Sequence, residues 1–134
     1  MAVVCLAVWL TSCGGVRPPD PKNELPFGVV DVPLPAATVL RNTFVSGWAL
    51  DDSAVRGVRI YIDGKYVTDA RTGLERPDVS KAFPRWARGS NAHGWGVQVD
   101  FGDLTGTHLL LAQAIDDSGA TRDLGAVSVT VKPQ

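Results

Sequence analysis

Histidine and cysteine are the residues of this sequence best suited to act as bases, nucleophiles or metal ligands, and there are two of each. His93 and His108 do not form an H-x-x-x-H spacing, so no zinc site is predicted. Cys5 and Cys13 both precede the region with strand patterning, and no serine occurs in a G-x-S-x-G context. The sequence therefore predicts no catalytic centre and no cofactor, and His108 is expected to bond a backbone group of a turn.

Paired aspartates are the other groups with chemical potential. Asp51-Asp52 and Asp116-Asp117 begin the similar stretches DDSA and DDSG. If two such turns met at one end of a fold, their oxygens could hold Ca²⁺. Asx-type turn formation accounts for the same residues without a metal, so no metal site is predicted. The enzyme alternative is a minimal hydrolase in which His93 acts with an aspartate.

A basic and aromatic segment occupies residues 70–94. Its candidate ligand-binding residues are Arg76, Phe83, Arg85 and Trp86, since stacking and bidentate donors suit carbohydrate, peptide or anion recognition. The structural alternative is that the aromatic residues anchor a long loop over the domain while the arginines are solvated. An insertion that lies down on the domain would favour a scaffold, whereas an open insertion with a groove would favour recognition.

A short helical turn is predicted inside this segment. Asp78 is expected to cap a turn over residues 79–83, because aspartate accepts hydrogen bonds from free N–H groups at a helix start. Pro84 is expected to stop it, since proline disfavours helix in the residue before it.

The elements that must position these residues are β-strands. From Gly28 onward, short runs of alternating apolar and polar residues are separated by turn signals such as Asp63-Gly64. Strands are predicted at residues 28–32, 43–50, 58–63, 65–69, 95–100, 107–116 and 124–131. This number of strands in about a hundred residues is typical of an all-β fold with two stacked sheets and, here, one long inserted loop.

Two stretches also resemble a known family. VSGWALDDSAVRGVRIYIDGKYV (45–67) and GTHLLLAQAIDDSGATRDL (106–124) look like the bacterial immunoglobulin-like (Big-type) domains. In that family a V-x-G-x-A-x-D strand leads into V-x-V-x-V-D-G, and L-x-x-G-x-H leads into a strand ending in A-x-D-x-x-G. The resemblance implies an immunoglobulin-like β-sandwich of about seven strands. It leaves function open, because such modules are spacers, adhesins and appendages of secreted enzymes.

Strand parity predicts an apolar outer surface. In the strand from Thr107, the family pattern turns Leu110 inward, which leaves Leu109, Leu111 and Ile115 pointing outward. Trp48, on the predicted strand at residues 43–50, is a further large apolar residue that such a surface would expose. Exposed apolar patches usually have a partner or a cover, so these four residues are a candidate interface.

The N-terminus resembles a lipoprotein signal. Residues 2–10 are an apolar run of signal-peptide length, too short to span a bilayer. The stretch Leu10-Thr11-Ser12-Cys13-Gly14 is similar to the bacterial lipobox, which implies a signal peptide at residues 1–12 and lipidation of Cys13. No Lys or Arg precedes the apolar run, which indicates an atypical signal or a start codon further upstream.

A proline-rich tether is predicted at residues 13–27, ahead of the domain at 28–134. The expected location is the cell envelope, anchored to an outer membrane or cell surface, with the periplasmic face as an alternative. Thirteen basic and fourteen acidic residues are dispersed along the chain, so nucleic acid is not an expected partner. The expected role is a non-catalytic module that binds protein or glycan, with a passive spacer or assembly subunit as the alternative.

Overall fold

The computed structural model describes residues 25–133, and it is built almost entirely of β-strands. The strands are Phe27–Val32 (β1), Ala37–Val39 (β2), Asn42–Leu50 (β3), Val55–Ile62 (β4), Lys65–Glu75 (β5), Ala92–Asp100 (β6), Gly106–Asp116 (β7) and Thr121–Val131 (β8). Two short helices, Pro77–Ala82 (α1) and Pro84–Ala87 (α2), lie between β5 and β6. The prediction of an all-β domain is confirmed.

The strands form one curled sheet in the order β1-β3-β6-β5-β4-β7-β8-β2. Strand β5 joins the two layers, because its first part pairs with β4 and its second part pairs with β6. One layer therefore contains β1, β3, β6 and the end of β5, and the other contains the start of β5 with β4, β7, β8 and β2. The predicted pair of stacked sheets is present, joined through this shared strand.

The core lies between the two layers and follows strand parity. Val45 and Ala49 of β3 face Val58, Ile60 and their neighbours on β4, and all are buried. Asp63 and Gly64 connect β4 to β5 with φ angles of 53° and 84°. These positive angles match the tight hairpin turn predicted from Asp-Gly.

Strand β2 is the element that sequence reasoning missed. Residues 37–39 pair in parallel with Val129–Val131 at the edge of the second layer. Pro33 and Pro35 end β1 as predicted, but the chain pairs again only four residues later. Three residues are too few to show alternation, so β2 carries no periodic signal.

Phe27 corrects the predicted boundary between tether and domain. The sequence pattern places Phe27 in the tether, yet it is the first residue of β1 and pairs with Leu50. The predicted signal peptide, Cys13 and the remainder of the predicted tether up to Glu24 lie outside the described residues. Within residues 25–133, no helix combines the length and apolar character needed to cross a membrane.

Candidate functional site

The insertion between β5 and β6 is shorter and more regular than the sequence indicated. Strand β5 continues to Glu75 and β6 begins at Ala92, so only residues 76–91 lie between them. Both helices in this segment begin with a proline at their first position. Proline suits that position because its fixed φ is helical and its missing N–H would be unbonded there anyway.

The predicted role of Asp78 as a helix cap is wrong. Helix α1 begins one residue before it, at Pro77, so the N-cap residue is Arg76. No side-chain hydrogen bond caps the start of this helix. Asp78 lies in the first turn, and its carboxylate instead accepts two hydrogen bonds from the Arg76 guanidinium, at 2.9 and 2.8 Å. Pro84 does follow the end of α1, as predicted, and it also begins α2.

Four aromatic rings fasten the insertion to the first layer. Phe27 of β1 makes edge-on contacts with Phe83 at 5.6 Å and with Trp86 at 5.1 Å between ring centroids. Trp48 of β3 lies 5.3 Å from Phe83 and 6.0 Å from Phe27. The aromatic cluster of Phe27, Trp48, Phe83 and Trp86 therefore anchors the insertion. Trp48, predicted as part of an exposed interface, is partly buried against Phe27 and Phe83 of its own chain.

Arg76 is a second fastening point. Its guanidinium binds the Asp31 carboxylate of β1 at 2.7 Å in addition to its paired contacts with Asp78. These hydrogen bonds, first to Asp78 and then to Asp31, raise the pKa of Arg76 above its ordinary value. The same contact lowers the pKa of Asp78. Since Arg76 is engaged with two carboxylates, its contacts hold the insertion against β1.

Arg85 is the predicted ligand-binding residue that the structure leaves on the surface. It is exposed, and its guanidinium carbon lies 4.7 Å from the ring centroid of Trp86. Lys81 and Arg88 of the same insertion are also exposed. The structure thus brings Arg85 and Trp86 together as a cation–π pair on a basic surface.

A cavity of about 310 Å³ lies where the insertion meets one end of the sandwich. Its wall is formed by the end of β3, the turn after it, the second part of β5, helix α2 and the start of β6. Residues that line it include Leu50, Asp51, Trp86, Arg88 and Trp95. The insertion therefore lies on the sheet and still leaves a cavity. In the sequence prediction, a docked insertion and an open insertion with a groove are two separate possibilities.

Two residues that line the cavity each have a polar atom that is fully buried. Within residues 25–133, these atoms, Asp51 Oδ1 and Trp95 Nε1, have no hydrogen-bond partner at ordinary geometry. The other Asp51 oxygen accepts from the Ser53 amide at 3.0 Å and from its hydroxyl at 2.7 Å. Burial raises the pKa of Asp51, and the nearby carboxyls of Asp52 and Asp116 add to that effect. Sequence reasoning assigned Asp51 only to a turn, because nothing in a linear pattern shows that the turn is buried.

The two aspartate turns do meet at this end of the sandwich. The Asp117 amide donates to the Ala54 carbonyl at 3.1 Å, which joins the turns after β3 and β7. Asp116 Oδ1 accepts hydrogen bonds from Ser118 and Ala120 of its own turn. Within the described part of the chain, no group of three or more His, Cys, Asp or Glu side chains is arranged to hold a metal. The structure therefore supports the turn-forming role of these aspartates.

The two histidines have different surroundings. His93 lines the cavity, and its Nε2 lies 2.6 Å from the Ser90 carbonyl oxygen. His108 contacts the Thr105 carbonyl through Nε2 at 2.8 Å, which confirms the predicted bond to a turn. Its Nδ1 also lies 2.6 Å from Asp63 Oδ2. These two bonds raise the pKa of His108, the Asp63 contact having the larger effect.

The outer face of the second layer carries a separate apolar surface. Tyr66, Tyr61 and Leu111 are neighbours across β5, β4 and β7, and the two tyrosine rings lie 6.0 Å apart. Leu109 is 47% exposed on the same strand as Leu111. We call Tyr61, Tyr66, Leu109 and Leu111 the tyrosine–leucine face. The insertion does not cover it, since its aromatic contacts are with the first layer.

Ile115 is not part of this exposed face. Ile115 lies on the same side of β7 as Leu109 and Leu111, as predicted, but only 6% of the residue is exposed. It pairs with Gly57 beside an irregularity in β4, and it lies in a depression that is also lined by Arg56 and Thr72. Ile115 is therefore buried at the edge of the outer face and does not contribute to an exposed apolar surface.

Comparisons with known proteins define the fold. No protein-family model and no curated protein matches the chain. Among solved structures, the fibronectin(III)-like modules of Clostridium thermocellum CbhA superpose with a TM-score of 0.56 at 13% identity, over 78% of this chain and 94% of that chain. The sulfane dehydrogenase SoxCD from Paracoccus pantotrophus gives 0.49 at 16% identity, over 73% and 23% of the two chains. A Niemann-Pick type C2 protein from the Japanese carpenter ant gives 0.47 at 11%, over 87% and 100%.

The fibronectin(III)-like modules carry the structural argument. They have an immunoglobulin-like fold and are covered almost completely by this chain. The predicted immunoglobulin-like β-sandwich is therefore confirmed. At this level of identity the likeness extends to the fold alone, so function must be argued from the residues.

Proposed function

We propose that this chain is a lipid-anchored, non-catalytic recognition module of a bacterial cell envelope, which binds a protein or glycan partner through its insertion. The observation that carries this proposal is the contrast within residues 76–91. Arg76 and the aromatic cluster hold the backbone of the insertion in place, whereas Arg85 stacks on Trp86 at the exposed surface. A rigidly held surface loses little conformational entropy on binding, which favours recognition.

The charge of the insertion supports the choice of Arg85 as the contact residue. Lys81, Arg85 and Arg88 are exposed, while the acidic Asp78 is already engaged with Arg76. Arginine on an aromatic ring presents both a planar donor fork and a stacking surface, which suits carboxylates, peptides and sugar rings. Arg76 and Phe83 position the insertion against β1. Their direct contact with a partner stays a prediction.

The test of partner binding is a pull-down from fractionated envelope protein and glycan. Arg85→Glu should abolish capture of a partner that the unaltered chain retains, because the contact charge is reversed while Trp86 and the aromatic cluster stay intact. Arg122→Glu, at an exposed position on β8, is the matched control and should capture normally. Equal capture by both variants would reject the insertion as the recognition surface.

The lipid anchor is tested separately by expression in a bacterial host. Cys13→Ser should move the chain from the membrane fraction to the soluble fraction and abolish incorporation of labelled palmitate. Cys5→Ser is the matched control, because it alters the other cysteine, which lies within the apolar run, and it should keep the label. Labelling of the Cys13→Ser variant would exclude Cys13 as the anchor.

The tyrosine–leucine face supports a second candidate function, assembly through contact between modules. Tyr66 and Leu109 are about half exposed on the outer face of the second layer, and neighbouring exposed apolar residues often mark a contact surface. Sedimentation equilibrium of the purified chain should then show self-association that Leu109→Lys removes. Phe44→Lys, on the opposite layer, should leave it unchanged. A monomer at all concentrations would reject self-assembly.

A further inference from the structure

The turn after β3 holds two carboxyl groups side by side. Asp51 is 4% exposed, and the Oδ1 atoms of Asp51 and Asp52 are both fully buried. The Asp51 carboxyl is also in side-chain hydrogen-bond contact with that of Asp52. An ionised carboxylate only accepts hydrogen bonds, so a contact between two carboxyl groups needs a proton on one of them.

Asp51 is the member of the pair that is suited to hold this proton. Its Oδ2 accepts from the Ser53 amide and hydroxyl, whereas no donor within residues 25–133 bonds to its Oδ1. Buried polar atoms are nearly always hydrogen-bonded, so this exception needs an explanation. A proton on Oδ1 makes that atom a donor, with the neighbouring carboxyl as its acceptor.

The charges around Asp51 oppose its ionisation. Burial is the largest cause of its raised pKa; Asp52 and Asp116 raise it further, and the bonds from Ser53 act in the opposite direction. Asp116 itself is 0% exposed at the end of β7. Arg88 of the insertion and His93 of β6 also line the cavity, but each contacts a backbone carbonyl, of Ser53 and Ser90 respectively. Loss of the proton would therefore place buried negative charges next to one another.

This turn is also where the sandwich meets the end of α2. Ser53, which is fixed by its two bonds to Asp51, accepts a hydrogen bond from the Arg88 guanidinium at 3.3 Å through its carbonyl. Arg88 directly follows α2. A displacement of Ser53 would therefore act on the α2 end of the insertion. The α1 end is held separately, by Arg76 on Asp31.

We propose that Asp51 and Asp52 share one carboxyl proton in the folded protein, and that its release to water as the pH rises loosens α2 from the sandwich. Repulsion between the carboxylates then displaces Ser53 and the carbonyl that holds Arg88. The inference concerns the regulation of the proposed recognition surface, because α2 carries Arg85 and Trp86, and it rests on that proposal for its functional meaning.

The test is NMR of the full chain, labelled with ¹³C and ¹⁵N, between about pH 3 and 9. The Asp51 carboxyl signal, assigned by its absence in Asp51→Asn, should titrate above the ordinary aspartate value of about 3.9. Over the same pH range, the order parameter of the Arg88 amide should fall from about 0.85 to below about 0.6. The Val79 amide, which bonds to the Arg76 carbonyl in α1, should keep its order parameter.

Three variants separate the causes. Asp51→Asn keeps an oxygen for Ser53 and supplies an N–H to Asp52, so Arg88 should stay ordered over the whole pH range. Asp52→Asn supplies a donor to the Asp51 carboxylate, which should lower the titration of Asp51 toward about 3.9. His93→Gln is the matched control, because it removes the titratable ring of the cavity lining and should leave the Arg88 transition unchanged.

Three results would overturn the inference. Titration of Asp51 at or below about 3.9 would exclude a retained proton, and an unchanged titration in Asp52→Asn would exclude Asp52 as its partner. An Arg88 transition that persists in Asp51→Asn would exclude the link to the insertion. All three readouts work without a binding partner, so a failure of partner capture would reject the proposed function and leave the shared proton standing.

Discussion

His108 is held by two acceptors at once, the carboxylate of Asp63 and the carbonyl of Thr105. A neutral imidazole carries one N–H and can donate to only one of them, whereas the imidazolium donates to both. The fold therefore favours the charged ring, and the pKa of His108 rises accordingly. The pKa of Asp63 is lowered, first by the hydrogen bond from the Leu109 amide and then by His108.

This pair should make folding stability depend on pH. A histidine whose pKa is raised on folding stabilises the fold at pH values below its pKa in the unfolded chain, about 6.5. This contribution is lost as the pH rises through the pKa of the folded state. A lowered aspartate pKa stabilises it above about 3.9, and this is lost as pH falls through the folded pKa. We expect His108→Gln to lower the free energy of unfolding more at pH 5.5 than at pH 8, measured by urea denaturation at about those two values.

The same measurement in an Asp63→Asn background provides the control. Without the carboxylate, His108→Gln should lose most of its pH dependence, since the partner that favours the imidazolium is gone. A dependence of equal size in both backgrounds would mean that Asp63 is not the cause.

At the scale of the elements, the backbone of β1 and the Trp95 ring of β6 pack closely against β3 at Gly47, which has no side chain. A Cβ at this position would overlap the Val29 carbonyl oxygen and lie 2.7 Å from Cζ2 of Trp95. We expect Gly47→Ala to cost about 3 kcal/mol of stability, measured by chemical denaturation, because the backbone of β1 has to move. Gly57→Ala is the matched control, since nothing lies within 4 Å of its Cβ position, and it should change stability by about 0.5 kcal/mol at most.

The insertion depends on the fork geometry of Arg76. Lysine keeps the charge but cannot bind Asp78 through two parallel bonds while reaching Asp31. Because Arg76 is 28% exposed, we expect Arg76→Lys to cost only about 1 kcal/mol globally. Proteolysis within residues 76–91 should increase clearly, as the insertion loses its tie to β1. Arg41→Lys, which alters the more exposed single contact with Asp100, should leave the cleavage rate unchanged.

The alternation of apolar and polar residues predicted where the strands lie, but it did not predict which strands pair with each other. The parity of Val58, Ile60 and Ile62 placed them in the core, where the structure has them. Glycine and proline marked the Asp63-Gly64 turn and the end of β1 for local reasons. The extension of β5 to Glu75 could not be predicted, because its second part is set by pairing with β6 and not by its own pattern.

At the scale of the whole molecule, the two layers share one core and should unfold together. Leu110 of β7 is 2% exposed in a core that also contains Trp95 of β6. We expect Leu110→Ala to cost about 2–5 kcal/mol and to shift tryptophan fluorescence and circular dichroism transitions equally. Leu109→Ala, the next residue and half exposed, should cost about 0.5 kcal/mol at most. Transitions that separate in Leu110→Ala would show that the layers unfold independently.

Only part of the candidate site could be predicted from the sequence, because the cavity joins residues that are far apart along the chain. Composition singles out Arg85 and Trp86 as candidate binding residues, but the contact between their side chains is seen only in the structure. The cavity joins Asp51, Arg88 and Trp95, which come from β6 and two separate connections. Such a site depends on how the insertion closes over the sandwich, and that is decided by Arg76 with Asp31 and by Phe27 with Phe83 and Trp86.

Phe27 stands between the N-terminal segment and the insertion. It is two residues from the first described residue, Leu25, and its ring touches both Phe83 and Trp86. A pull on the preceding chain would act on Pro26, which is buried, and on the backbone of β1. Any displacement of β1 at Phe27 would also disturb the two aromatic contacts that anchor the insertion.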